Sequence, residues 1–208
     1  MQPDPGARPE YLEAFREIVS RIAGSIEGAP KRSLPVVMYV AGGAAMHLYA
    51  GGRVSEDIDA VFSRRLVLPA DLEVGYRDAD GAARLLYFDR QYNDTFGLLH
   101  EDAHRDANPL QLQGIDPAVI DVRLLSPLDL AVSKVARLSD QDRDDIALLA
   151  RRGMIGAAAL GKRCEKAMQR YVGDLARLRH SIDVACRIVE DASRRRTDAK
   201  SRHPRRRR

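Results

Sequence analysis

The segment from residue 36 to residue 62 constrains the fold most, because two apolar runs enclose a glycine turn and a short helix. Val36–Val40 follows a proline and predicts a short buried strand. Gly42–Gly43 predicts a tight turn, and residues 44–50 predict a helix that a second pair of glycines ends. Asp57–Phe62 predicts the next strand. This order of elements predicts a mixed α/β region.

The rest of the chain divides into further mixed structure and a helical region. Residues 9–28 carry an apolar stripe at helical spacing, and further strands are predicted at 85–88 and 119–125. Residues 71–83 are ambiguous and are compatible with a helix. From Ser126 onward, capping signals and helical periodicity dominate. We therefore expect an α+β fold, in which a mixed-sheet domain precedes a helical bundle, with a helical segment at 1–30, an α/β domain at 31–125, a helical domain at 126–192 and a basic tail at 193–208.

Composition excludes several classes of protein. The chain has 208 residues, 45% of them hydrophobic, which is enough apolar material for a core. No apolar run reaches the ~18 residues that a membrane span needs. The two cysteines, Cys164 and Cys186, cannot form a disulfide framework. We therefore expect a cytoplasmic protein with reduced thiols.

The positive net charge of +4 belongs to the C-terminal tail. Residues 193–208 hold nine Lys and Arg and one Asp, a net charge of +8, so residues 1–192 carry a net charge of −4. A tail of this composition cannot bury a core, so we expect it to be disordered. It either binds nucleic acid through phosphate contacts or only solubilises the chain. With no Trp and four Phe, the sequence predicts no aromatic platform for single-stranded nucleic acid.

The residues best suited to bind a ligand lie in two segments. One is the turn Gly42–Gly43, here called the glycine turn, and the other is the predicted strand Asp57–Phe62, here called the carboxylate strand. Gly42 and Gly43 lie between a strand and a helix, where backbone N–H groups can approach a phosphate closely. Asp57 and Asp59 are two residues apart on a strand, so both side chains project from one face. A divalent cation bound to nucleotide phosphates needs one or two such carboxylates. The sequence therefore predicts a site for a metal–nucleotide complex.

The order of these residues, with thirteen residues between Gly43 and Asp57, resembles the first motif of the nucleotidyltransferases of the DNA polymerase beta superfamily. It is most similar to the small bacterial branch that includes abortive-infection toxins. The resemblance implies that Asp57 and Asp59 are catalytic metal ligands. It also implies that the two glycines, Arg53 and Ser55 contact the nucleotide.

The same resemblance implies a third carboxylate on a later strand. Asp121 is the first candidate for this metal ligand, and Asp89 is the second. This chain has Gly43 where many members of the superfamily have Ser, which removes a hydroxyl group from the turn. In toxin-type members, a lysine and a later acid border the cleft, which implies that Lys134 and Asp142 contact nucleotide and that Lys134 takes part in catalysis.

The function implied by the resemblance is transfer of a nucleoside monophosphate from an NTP to RNA (tRNA) or protein, with Mg²⁺ or Mn²⁺. A toxin of this kind would have an antitoxin protein as partner. The alternative within the same resemblance is a catalytically inactive nucleotide-binding regulatory module.

A rival motif lies at His100-Glu101-x-x-His104, which matches the signature of zinc metallohydrolases. Zinc chemistry requires this motif to form a helix, so that both histidines share one face and the glutamate can polarise a zinc-bound water. Gly97 and Pro109 weigh against a helix here. A chance match is the other interpretation.

Overall fold

The computed structural model describes residues 1–94 and 97–202, with side chains through residue 196. The predicted α+β class is confirmed: two β-sheets occupy the first part of the chain and packed helices the second. The chain divides into a sheet unit, residues 1–94 and 104–126, and a helical unit, whose described residues are 97–103 and 127–202. None of the helices in the described part of the chain combines the length and hydrophobicity of a membrane span.

Seven strands and two helices form the sheet unit. The helices are α1 (Pro9–Ile26) and α2 (Gly42–Ala50). The strands are β1 (Val36–Val40), β2 (Asp57–Ile58), β3 (Ala60–Phe62), β4 (Glu73–Arg77), β5 (Ala83–Phe88), β6 (Asn108–Pro109) and β7 (Ile120–Leu124). One sheet has the order β3-β1-β7-β6, in which β1 and β7 are parallel, and the other has the order β2-β5-β4, in which β2 and β5 are parallel.

The two helices of this unit bury the faces that their sequences predict. Helix α1 begins with Pro9 in its first turn, which suits a residue without a free N–H, and packs its apolar stripe on β4 and β5. Helix α2 is apolar nearly all round and is buried from Gly43 to Ala50. Burial of α2 holds its N-terminus, and thus the glycine turn, against the strands that follow.

The described part of the helical unit contains four helices: α3 (Pro127–Val135), α4 (Asp140–Arg152), α5 (Ala157–Met168) and α6 (Leu175–Arg202). Helix α6 packs on α3, α4 and α5. Ser139 caps α4 through a capping box with Asp142, as the sequence signal predicts. Inside the unit, the buried carboxylate of Asp129 accepts two hydrogen bonds from Arg163, at 2.8 and 2.9 Å.

Two regions differ from the sequence expectation. Residues 73–77 form strand β4 rather than a helix, because the stretch pairs along its whole length with β5. Helix α6 continues to Arg202, ten residues beyond the predicted boundary at 192. Neither Gly nor Pro occurs between residue 174 and Pro204, so nothing in the sequence ends the helix at 192. Residues 203–208 of the predicted tail lie outside the described residues.

Candidate functional site

The glycine turn is shaped by direct contact with the carboxylate strand. Gly42 has φ +57, a conformation that favours glycine, and a Cβ added to it would overlap the carboxylate of Asp59. A Cβ on Gly43 would lie 2.5 Å from Ser55 Oγ and 2.6 Å from Ser55 Cβ. Both glycines are therefore required by packing. Ala41, at the N-cap of α2, provides no side-chain cap, and the N-terminus of a helix favours an anion.

Asp57 and Asp59 project from one face of their strand, since Ile58 and Ala60 between and after them are buried on the other. The Asp59 carbonyl accepts a hydrogen bond of 2.8 Å from the N–H of Ala41, which places its side chain beside the turn. The Asp57 carboxylate accepts a hydrogen bond from Ser55 Oγ. The structure thus brings both predicted aspartates to the glycine turn.

Arg53 and Ser55 lie at the same turn. The Arg53 Nη1 atom is 3.4 Å from the Cβ position of Gly43, and the side chain is exposed. The Ser55 hydroxyl fills the space that a side chain at position 43 would need. The Arg53 cation therefore lies beside the N-terminus of α2, which is an arrangement suited to phosphate.

The structure does not bring Asp121 to the aspartates, so its assignment as a shared metal ligand is corrected. Asp121 pairs in register with Val37 on β1, whereas Asp59 lies beside Ala41. Four residues along a strand correspond to about 13 Å. The Asp121 carboxylate instead accepts a hydrogen bond of 2.7 Å from Arg123.

Asp89, the second candidate for the third carboxylate, directly follows the strand that pairs with β2. Strand β5 runs parallel to β2, with Tyr87 opposite Asp57, and the Asp89 N–H donates to the Ile58 carbonyl at 3.1 Å. Asp89 is therefore level with Asp59 on the neighbouring strand, on the same face. The charges of Asp57, foremost, and of Asp89 raise the pKa of the Tyr87 phenol, with burial adding to the effect. The register thus favours the second candidate over the first.

The donor set fits a divalent cation held jointly with phosphates. Among the described residues, no three Asp, Glu, His or Cys side chains form a closed metal-binding group. Magnesium, however, is usually bound by one or two carboxylates together with waters and phosphate oxygens. The half-buried Asp57 and Asp59 beside a glycine turn match that requirement, and a site of soft ligands would not.

Tyr11 is a further candidate, which the sequence analysis did not single out. It is fully buried on α1, and among the described residues its hydroxyl oxygen has no hydrogen-bond partner. Burial raises the pKa of its phenol, and the nearby charges of Asp57 and Asp59 raise it further. A buried hydroxyl without a partner among the described residues is unusual in a folded protein, and a hydrogen bond to a ligand would satisfy it. The spacing of Tyr11 from Phe15 and Ile18 is the helical signal that could have identified its buried position.

Lys134 and Asp142 belong to an ion network in the helical unit. The Lys134 Nζ lies 2.7 Å from Asp145 Oδ2 and 3.4 Å from Asp142 Oδ1, and all three side chains are nearly inaccessible. Asp142 also accepts two hydrogen bonds of 2.8 Å from Arg137 and closes the capping box with Ser139. Both oxygens of Asp142 are thus engaged in holding α3 and α4 together.

The His100-Glu101-x-x-His104 motif does not form the helix that zinc coordination requires. Residues 101–106 form turns, so the helix that the motif requires is absent from this described segment. His100 accepts a hydrogen bond of 3.1 Å from the N–H of Asp102 at its Nδ1. His104 Nε2 is 2.9 Å from a carboxylate oxygen of Asp94. The described residues therefore do not support a zinc metallohydrolase site at His100 and His104.

The ion network predicts an acid-dependent loss of stability. Burial alone would raise the pKa of Asp142, but hydrogen bonds from Arg137 and Ser139 and the charge of Lys134 outweigh it and lower the pKa. The carboxylate then contributes its full stabilisation above about pH 4, and the contribution is lost as the pH falls below that value. Asp142→Asn should lower the free energy of unfolding at pH 7, and this difference should shrink at pH 3, as measured by urea denaturation.

Asp144→Asn is the matched control, since Asp144 is exposed on the same helix. It should change stability by less than about 0.5 kcal/mol at either pH. Equal effects of the two substitutions would contradict the network's role.

Comparison with known proteins gives one family. The family described as "Nucleotidyltransferase of unknown function (DUF6036)" matches residues 19–180, which include the glycine turn and the carboxylate strand. No curated protein and no solved structure matches the chain.

Proposed function

Because the chain belongs to this family of nucleotidyltransferases, we propose that it transfers a nucleoside monophosphate from a nucleoside triphosphate to an acceptor hydroxyl at the glycine turn. The observation that carries the proposal is the contact of the Gly42 backbone with the Asp59 carboxylate. This contact puts backbone phosphate donors and metal-binding oxygens side by side, and nucleotidyl transfer needs both.

In this proposal, different residues of the chain bind different parts of the substrate. The N–H groups at the start of α2 and the Arg53 guanidinium hold the β- and γ-phosphates, which become the leaving pyrophosphate. Ser55 orients Asp57 through its hydrogen bond. Tyr11 donates its unpartnered hydroxyl hydrogen to a phosphate oxygen. These contacts strengthen as negative charge moves onto the leaving group.

Asp57 and Asp59 would hold Mg²⁺ or Mn²⁺, with Asp89 at the same level on the next strand. When bound, the divalent ion neutralises phosphate charge and favours ionisation of the attacking hydroxyl. Asp89 is placed to receive the proton that the hydroxyl releases.

We propose that the protein is an active enzyme rather than an inactive nucleotide-binding module. The case for an inactive module rests on Gly43 in place of Ser. Gly43 leaves room for Ser55, whose hydroxyl donates to the Asp57 carboxylate, so the absence of a side chain at position 43 helps to hold a proposed metal ligand.

The first test removes the charge of the two aspartates. An NTP with Mg²⁺ at 100 times its Kd should stabilise the wild-type protein by about 2.7 kcal/mol, and this should raise Tm. Asp57→Asn with Asp59→Asn should abolish that rise while the circular dichroism spectrum stays unchanged. Asp121→Asn is the matched control and should keep the rise. A variant lacking both aspartates that still responds to the Mg²⁺–NTP complex would contradict the assignment.

The second test concerns Tyr11. Tyr11→Phe should weaken NTP binding or turnover by about tenfold, the usual value of one lost hydrogen bond to a charged group. It should not lower the free energy of unfolding, because the buried hydroxyl has no partner in the described residues. Tyr49→Phe provides the contrast, since Tyr49 accepts a hydrogen bond of 2.8 Å from Asn108 and should lose stability without losing NTP affinity. If Tyr11→Phe is less stable and binds NTP normally, the role of Tyr11 is structural.

The resemblance to abortive-infection toxins supports a further part of the proposal, that the acceptor is RNA (tRNA) or protein and that an antitoxin partner controls the enzyme. Inducible expression of the chain in bacteria should then arrest growth. The variant with both Asp57→Asn and Asp59→Asn, expressed at the same level, should not. Unimpaired growth with the wild-type chain would contradict the toxin role without contradicting nucleotidyl transfer.

A further inference from the structure

A cavity of about 490 Å³ lies within the helical unit. Its walls come from residues 99–102 and from the last turn of α5 together with the residues that follow it. The polar groups of its wall are His100, Glu101, Asp102, Lys166, Gln169 and Arg170. A cavity of this size suits a small organic ligand. It therefore gives a possible role to the residues of the His100-Glu101-x-x-His104 motif that the zinc interpretation leaves unexplained.

His100 presents a nearly buried hydrogen-bond donor to this cavity. Its side chain is only 4% exposed, and its Nδ1 accepts a hydrogen bond of 3.1 Å from the N–H of Asp102. Because a backbone N–H can only donate, the proton of the neutral ring lies on Nε2. Within the described part of the chain, Nε2 has no hydrogen-bond partner, and it is not sealed from solvent. A side chain this buried is normally paired, so an acceptor in the cavity would complete its bonding.

Two further donors come from the end of α5. Lys166 and Gln169 are three residues apart, so their side chains lie on one face of the helical turn. Both are exposed, and neither side chain has a hydrogen bond or an ion pair with another described residue. The lysine brings three N–H donors and a positive charge, and the glutamine amide brings two more donors.

The acidic side chains of the wall are engaged elsewhere. The Glu101 Oε2 atom pairs with Arg170 Nη2 at 2.5 Å, and the two side chains are 52% and 73% exposed. Ion pairs this exposed are weak, so a bound anion can draw Arg170 away from Glu101. The carboxylate of Asp102 approaches the His100 ring at Nδ1, at 3.8 Å, and not at the donor Nε2.

The C-terminal end of α5 carries a partial negative charge, which by itself opposes an anion. Its last carbonyls, however, already accept backbone hydrogen bonds of 3.2 Å from the N–H groups of residues 169–171. The helix contributes about half an elementary charge, whereas the Lys166 ammonium brings a full positive charge. The groups of the wall that still lack a partner among the described residues are therefore mainly donors, and they favour an anionic ligand.

We propose that this cavity binds a phosphate group, with His100 Nε2, Lys166 Nζ and the Gln169 amide donating to its oxygens. A tetrahedral dianion accepts hydrogen bonds from several directions at once, which suits donors that come from two separate segments. The remaining volume accommodates the organic part of a small phosphate ester. None of the cavity walls comes from the glycine turn or the carboxylate strand, so the inference does not depend on the proposed function.

The test measures Tm of the full chain with increasing inorganic phosphate, in EDTA and at constant ionic strength. A ligand that binds only the folded protein raises Tm with its concentration, which gives its Kd. Lys166→Met should weaken phosphate binding by about tenfold, the usual value of one lost hydrogen bond to a charged group. Lys162→Met is the matched control, since Lys162 is exposed on the same helix outside the cavity, and it should keep the wild-type affinity.

His100→Asn is the second variant. The asparagine oxygen can still accept the hydrogen bond from the Asp102 N–H, as in an Asx turn, but the side chain has no group at the position of Nε2. This variant should also bind phosphate about tenfold more weakly, while its circular dichroism spectrum stays unchanged. The basic tail is common to all variants.

Two other probes define the ligand. Ribose 5-phosphate that binds more tightly than inorganic phosphate would identify a phosphate ester as the ligand, and equal affinity would identify phosphate alone. Sodium acetate at the same ionic strength should not raise Tm. A rise with acetate as large as that with phosphate would overturn the assignment to phosphate.

Equal phosphate affinity in Lys166→Met and Lys162→Met would overturn the inference, and so would a wild-type Tm that does not respond to phosphate. Loss of the response in Arg53→Met, with the response of Lys166→Met intact, would assign the phosphate to the glycine turn and also overturn it. Failure of the proposed function would be seen separately, as a wild-type chain whose Tm does not respond to Mg²⁺ and NTP.

Discussion

The close approach of the Gly42 backbone to the Asp59 carboxylate is the contact on which the rest of the site depends. A side chain at position 42 would collide with that carboxylate, and the positive φ of Gly42 would strain any other residue. The contact holds a helix N-terminus, which attracts anions, directly beside oxygens that attract cations. A complex of phosphate and metal would satisfy both preferences. A helix N-terminus or a pair of carboxylates is common by itself, whereas the two side by side indicate this kind of ligand.

The carboxylate strand is divided between two sheets, and this division organises the chemistry. Strand β3 pairs with β1, and strand β2 pairs with β5 on the opposite edge. The residue between them, Asp59, therefore faces α2 on one side and Asp89 on the other. The division leaves the glycine turn on one edge of the strand and Asp89 on the other.

The helical unit depends on buried charge rather than on apolar packing alone. Asp142 receives hydrogen bonds from Arg137 and Ser139 as well as the charge of Lys134. A buried carboxylate is tolerated only when its oxygens are fully paired, and removal of one partner leaves a costly unpaired charge. The network therefore ties the start of α4 to α3 and requires Asp142 to stay ionised.

The sequence by itself determined the features that depend on near neighbours. Capping and apolar periodicity predict α1, α3 and α4, and a period of two places Asp57 and Asp59 on one face. Only the tertiary structure distinguished Asp89 from Asp121, because the two differ in their register with the distant strands that carry Gly42 and Asp59. The same holds for the orphan hydroxyl of Tyr11 and for the turns around His104. Register and helix phase depend on packing between segments far apart in the chain, and local spacing carries no information about them.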